Sequence, residues 1–271
     1  MRFHNYVLVS LRLSLRYHYF LFASGFALAV MLAALMAAQF SGRQPATVAL
    51  DVGISVVRLC VPFWTVFLVQ ELLHREFDRR LFMTSLTYPL SRLAWLYSRV
   101  VVVLGLGWLM QLALFGLLQI EVLWISGWYA QSAQVADGLQ FWAAVLPQLL
   151  DLAVLVGVAV LLGVTASTSS FVLLGTLGFM LLARSYADVV ALLTRSPWVV
   201  GDAVAEDYRG GIGALFYLLP DLGGLDLRDV ALYSTWKLVP ENFHWLLVSA
   251  VMYLGFFLVI SALALQRKKM A

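Results

Sequence analysis

Tyr19-Phe-Leu-Phe-Ala-Ser-Gly-Phe-Ala-Leu-Ala-Val-Met-Leu-Ala-Ala-Leu-Met-Ala-Ala-Gln-Phe40 is a run of 22 residues without one charge. A hydrocarbon layer about 30 Å thick is crossed by a helix of about 20 apolar residues, each rising about 1.5 Å. The run meets that requirement, and five more stretches of similar character follow it. They lie at about Val48–Leu72, Leu93–Leu118, Phe141–Thr165, Phe171–Leu193 and His244–Leu265. The strands of a membrane β-barrel would be about ten residues long and strictly alternating, whereas these runs are long and continuous. The sequence predicts an all-α membrane protein with six transmembrane helices.

Composition agrees. Of 271 residues, 62% are hydrophobic and 12% charged, against about 25% charged in an average soluble domain. The mean hydropathy is +0.89. Disorder requires low hydrophobicity and high charge, so it is excluded. Cys60 is the only cysteine, which excludes a disulfide scaffold. The net charge of +3 does not point to nucleic acid, because the basic residues stand at the ends of apolar runs, where they report orientation. The first span is longer than the apolar core of a cleavable signal and is expected to remain.

With the N-terminus in the cytoplasm, eleven of the 18 basic residues fall inside, five outside, and Arg58 and Arg184 within spans. Four of the five outer ones share one long loop, which counts for less. Both termini are therefore expected in the cytoplasm, with residues 266–271 as a basic tail.

Residues 1–18 place Phe3, Val7, Leu8, Leu11 and Leu15 at helical spacing, with Asn5, Arg12 and Arg16 on another face. That pattern predicts an amphipathic helix on the inner surface. The loop of residues 194–243 holds Gly210–Leu219, too short to span and expected to be re-entrant or interfacial. It also holds Val230–Val239, expected to be an interfacial helix anchored by Tyr233 and Trp236.

The loop between spans 2 and 3, residues 71–92, is dense in both signs of charge. Leu73, Phe77, Leu81 and Leu86 form an apolar stripe of nearly helical period. Glu71 and Arg75, and Glu76 and Arg80, stand at i and i+4 in the favourable order. Pro89 ends the pattern, because the residue before a proline is driven out of the helical region. Such a helix fits a groove on a soluble partner as well as it fits a solvated loop.

Six spans, an N-terminal surface helix and this loop together resemble the permease subunit of type-two ABC transporters, the mostly export-class permeases. The matching residues are Glu71, Glu76, Pro89, Ser91 and Arg92, followed by Tyr217-Leu-Leu-Pro-Asp221 and Leu225-Asp-Leu-Arg228 before the last span. The family's usual Gly-Thr pair after the acidic stretch is replaced by Asp78-Arg79-Arg80-Leu81. The resemblance implies a protein of the bacterial cytoplasmic membrane and short outer helices between spans 5 and 6. It further implies a second permease copy or a related permease, and a separate cytosolic ATPase that binds ATP and magnesium and grips residues 71–92. Glu71, Arg75, Glu76, Asp78, Arg79 and Arg80 would then carry the coupling contact, with Pro89 and Arg92 fixing the turn.

Charges inside a membrane are costly and default to pairing or function. Arg58 and Asp151 each lie about ten residues into spans that enter from outside, so they are expected at similar depth, where they could pair. Arg184 and Asp188 stand at i and i+4 and are expected to pair on their own helix. Asp51 is close to the outer end of span 2. The chain contains no Gly-x-x-x-x-Gly-Lys-Ser/Thr loop, no metal motif and no nucleophile elbow. No cofactor or catalytic residue is therefore assigned to it. A secondary carrier remains open, with Pro62 and Pro147 as its only candidate helix breaks, and so does a membrane scaffold.

Overall fold

The computed structural model describes residues 3–16, 19–74, 92–128, 138–166, 168–195 and 219–267. These form α1 (Phe3–Arg16), α2 (Tyr19–Phe40), α3 (Pro45–Val69), α4 (Arg92–Ser126), α5 (Leu139–Thr165), α6 (Ser169–Arg195), α7 (Arg228–Tyr233) and α8 (Phe243–Arg267). No strand occurs among the described residues. Six of these helices, α2 to α6 and α8, are long and apolar enough to cross a membrane. They coincide with the six predicted spans. The third is two turns longer than expected, because Ile120-Glu-Val-Leu-Trp-Ile125 continues the apolar run with Glu121 turned into the interior.

The six long helices run up and down, so their ends fall at two levels. One level carries α1, the end of α3, the starts of α4 and α6 and the end of α8. There, Gln70 Nε2 donates to Ser169 O at 2.8 Å and Arg92 Nη1 to Gln266 O at 3.2 Å. We call this the terminal end and the other the far end.

Burial grades outward from α5, where residues 151–160 are buried on every side. A helix apolar all round belongs in a core or in lipid. α5 takes the first option, packed against α3, α4, α6 and α8. α2 and α8 take the second, presenting Phe20, Leu28, Met36, Trp245, Met252 and Phe256 outward. Helices in lipid gain nothing by hiding apolar surface from each other, so contact rests on close packing of small residues. α2 packs on α3 with Ala34 and Ala38 buried on the one helix and Ala46 and Ala49 on the other. Gly157 lets α8 approach α5: a Cβ there would stand 3.3 Å from both Leu254 Cδ1 and Phe257 Cβ.

α1 is helical as expected, and Val7, Leu11 and Leu15 of the predicted stripe pack against the core, but two serines are buried more deeply. Ser10 and Ser14 are its most buried described side chains, flanked by Val7 and Leu11, and α4 is its main neighbour. Ser14 Oγ donates to Ser10 O at 2.9 Å, which satisfies the hydroxyl within the helix. Small side chains bring the two backbones close; Arg12 and Val9 are left outside.

The predicted interfacial helix over Val230–Val239 is two pieces, α7 and a 3-10 turn at Trp236–Leu238. Ser234 separates them with a left-handed φ of 52°. Tyr233 and Trp236 are exposed around this break. Residues 210–218 of the predicted re-entrant stretch lie outside the described residues.

Candidate functional site

The site begins with a missing hydrogen-bond donor. Pro62 has no N–H, so the carbonyl of Arg58, four residues earlier, loses its helical partner. Arg184 of α6 takes that acceptor, donating from Nη1 at 2.9 Å. The helix α3 continues through Pro62 without interruption, and α5 through Pro147.

The second donor group of Arg184, Nη2, reaches Asp151 Oδ2 of α5 at 2.6 Å. Arg58 Nη2 lies 3.7 Å from the same oxygen, so one deeply buried carboxylate stands between two guanidinium groups from two other helices. Arg184 is thus engaged across helices; the side chain of Asp188, expected to pair with it locally, lies outside the described residues. Asp151 depends on these cross-helix partners because it has no route to water: its side chain is 1% exposed. Leaving it unpaired would cost several kcal/mol.

Arg58 carries a further ion pair, Nη1 to Asp226 Oδ2, and Asp226 belongs to the segment before α7. Arg58 is thirteen residues along α3 from Pro45, about 20 Å at the helical rise. Residues 220–228 therefore reach roughly halfway down the bundle. Non-helical backbone at such depth is tolerated only when enclosed by protein and internally satisfied. Leu222 N donates to Ala183 O at 3.1 Å, Gly224 N to Asp221 Oδ1 at 2.9 Å, and Asp226 N to Gly223 O at 2.9 Å. Leu222 and Leu225 are fully buried. Gly223 passes so close to α6 that a Cβ would lie 2.6 Å from Arg184 O.

The chain of charges then climbs to the surface. Arg228 Nε donates to Asp226 Oδ2 at 2.5 Å, and its Nη1 to Asp51 Oδ1 at 3.0 Å and Ser55 Oγ at 2.9 Å. Side-chain exposure rises along it, from 1% at Asp151 to 13% at Asp226, 29% at Arg228 and 47% at Asp51. Burial works against the Arg228 charge, but Asp226 and Asp51 outweigh it and hold the guanidinium above its usual range. Three arginines and three aspartates make the network neutral. Arg58, Asp151 and Arg184 were legible in the sequence as membrane charges. Asp226 and Arg228 were visible only as part of the Leu225-Asp-Leu-Arg228 resemblance. The usable signals are Arg58-x-x-x-Pro62 and an Asp-x-Arg pair in an otherwise apolar stretch.

At the terminal end, α3 passes into a π-helical turn, Gln70–His74. Arg99 of α4 donates from Nε to Leu72 O at 3.1 Å and lies over the Trp95 ring at 4.1 Å. Together with the Gln70 bond to α6, this fixes the base from which residues 75–91 depart. Glu71 and Arg92 stand on that base. Arg75, Glu76, Asp78, Arg79, Arg80 and Pro89 lie outside the described residues.

Elsewhere in the bundle, Gln148, Gln111 and Glu121 are buried with side-chain polar atoms that have no hydrogen-bond partner. Among the described residues no cluster of His, Cys, Asp and Glu suits a metal ion. No family model matches this chain, and no curated protein matches it significantly.

Proposed function

We propose that the chain is the permease subunit of an ATP-driven ABC transporter, lining a translocation path and coupling through residues 71–92 to a separate ATPase. Two permease copies, or this chain and a related one, would form the path in a bacterial cytoplasmic membrane, with both termini in the cytoplasm. One observation carries the reading: the same helix, α3, bears the base of the charged loop at one end and Arg58, Asp51 and Ser55 of the ion network toward the other. Leu72 and Arg58 are fourteen residues apart, about 21 Å of continuous helix. A push on the loop is thereby delivered to the contacts that hold residues 220–228 in the bundle, which is a rigid-body route between two sides of a membrane.

The unbroken course of α3 and α5 through their prolines favours this reading over a secondary carrier, whose binding sites are built from interrupted helices. The test is purification of the tagged chain from native membranes in mild detergent. The expected result is a co-purifying ATPase subunit whose hydrolysis is vanadate-sensitive and depends on the membrane partner. Purification of the chain without any nucleotide-binding partner, at undiminished yield, would overturn the proposal.

A further inference from the structure

Arg58 is 8% exposed, yet only part of its hydrogen-bonding fork is used. Its Nη1 meets Asp226, while Nε and Nη2 donate to no acceptor. Nε of Arg184 and Oδ1 of Asp151 are likewise without partners. Buried donors normally find acceptors, and an orphan is destabilising. Asp226 is a poor match for this corner. Its Oδ2 is shared between Arg58 and Arg228, and its Oδ1 accepts the N–H of Arg228 at 3.1 Å. Neither oxygen is left for the idle donors.

Charge gives the second argument. Arg58, Arg184 and Asp151 come from three different long helices and together carry +1. Asp226 alone comes from the connecting segment, and it makes the corner neutral. Remove that segment, Arg228 with it, and the inner corner of Arg58, Arg184 and Asp151 is left with a charge of +1, while Asp51 stands apart, seven residues along α3 toward the exposed end. The corner has unsatisfied guanidinium donors, apolar helices around it and an opening where the exposure of Arg228 and Asp51 rises. A monoanionic oxyanion restores neutrality, and the oxygens of a phosphate reach more of the fork than one shared carboxylate does.

We propose that Asp226 stands in for the anionic head group of an amphiphilic cargo, and that Arg58 and Arg184 receive the cargo's phosphate or carboxylate when residues 220–228 lift away. This deepens the permease reading and rests on it. The segment then acts as a built-in competitor: the site is closed and neutral when empty and exchanges one carboxylate for another anion when loaded. Apparent affinity is lowered by the fraction of time Asp226 occupies the corner, so removing its charge tightens binding.

The experiment uses the purified full-length chain with its accompanying subunits, and no ATP. Dodecyl phosphate is the probe, used at about pH 5, below its second ionisation so that it is a monoanion, with dodecylphosphocholine and inorganic phosphate as comparison arms. D226N is expected to bind dodecyl phosphate at least about tenfold more tightly than the native chain, and R58Q/D226N to lose the gain. An independent measurement keeps the native network: A231C is introduced with C60S, since Ala231 of α7 is fully buried. Dodecyl phosphate is expected to raise maleimide labelling of A231C at least severalfold, while dodecylphosphocholine and inorganic phosphate leave it unchanged. Equal labelling with dodecylphosphocholine overturns the reading of charge. Equal labelling with inorganic phosphate overturns the amphiphile and leaves a free-anion site. No change in labelling, whatever D226N does, overturns the stand-in. Absence of an ATPase partner would instead strike the permease reading alone, because this assay needs neither nucleotide nor ATPase.

Discussion

Arg184 of α6 donates to Asp151 of α5 at 2.6 Å, and the same arginine holds the carbonyl of Arg58 that Pro62 leaves open on α3. One side chain thereby ties three membrane helices. D151N should lower stability by about 3–5 kcal/mol, the range for breaking a buried pair from one side, because Arg184 then faces Arg58 with Asp226, already shared with Arg228, as the remaining counter-charge of the corner. D151L/R184L should be markedly milder than D151N, since it removes a partner along with the carboxylate. Thermal unfolding of the purified variants in detergent checks the order, and a double variant worse than D151N would count against the pairing.

Replacing Pro62 by Leu returns an N–H to α3 and sets it in competition with Arg184 for the Arg58 carbonyl. The helix gains a bond while the cross-helix tie weakens. P62L should therefore insert and fold, yet expose the backbone of residues 220–228 to faster hydrogen exchange. Unchanged exchange there would show that the Arg184 contact does not hold the segment.

Gly223 faces the backbone carbonyl of Arg184, and a Cβ placed 2.6 Å from that oxygen cannot be accommodated by a rotamer change. G223A should displace residues 220–228 from α6 and raise maleimide labelling of the A231C probe without any ligand. Labelling at the native rate would mean that the segment absorbs the methyl group in place.

Gly157 is different, because its neighbours are side chains of α8. G157L should force α8 away from α5 and cost about 1–3 kcal/mol by overpacking, seen as a lower melting temperature. G157A should cost far less, since its contacts at 3.3 Å need a shift of only a few tenths of an ångström.

The Arg228 charge is favoured in the folded chain, so its contribution is complete below the ordinary arginine range and fades only as pH rises beyond it. The stability difference between the native chain and R228Q should thus be constant across neutral and mildly alkaline pH. A difference that vanishes on moderate alkalinisation would contradict the Asp226–Arg228–Asp51 geometry. At the opposite end, E71K and E76K should abolish stimulation of the partner ATPase while membrane insertion persists. Normal transport by both variants would remove residues 71–92 from the coupling role.

The number and order of the spans were determined by the sequence alone. The cost of placing a residue in hydrocarbon is nearly additive along a helix, so a charge-free run such as Tyr19–Phe40 declares itself wherever it packs. Counting depth along the spans already brought Arg58 to Asp151; the rest of the pairing was decided by the tertiary structure. Asp151 has Arg58 at 93 residues' separation and Arg184 at 33, and Asp226 has Arg58 at 168. Spacing rules offered Arg184 its local neighbour Asp188, and nothing in the sequence brings Arg184 to Asp151 or Asp226 to Arg58. The donor that takes the freed carbonyl beside Pro62 and the path of residues 220–228 between the helices exist only once the helices are packed. The same holds for the inward serines of α1, which polarity alone assigns to water and close helix contact turns inside.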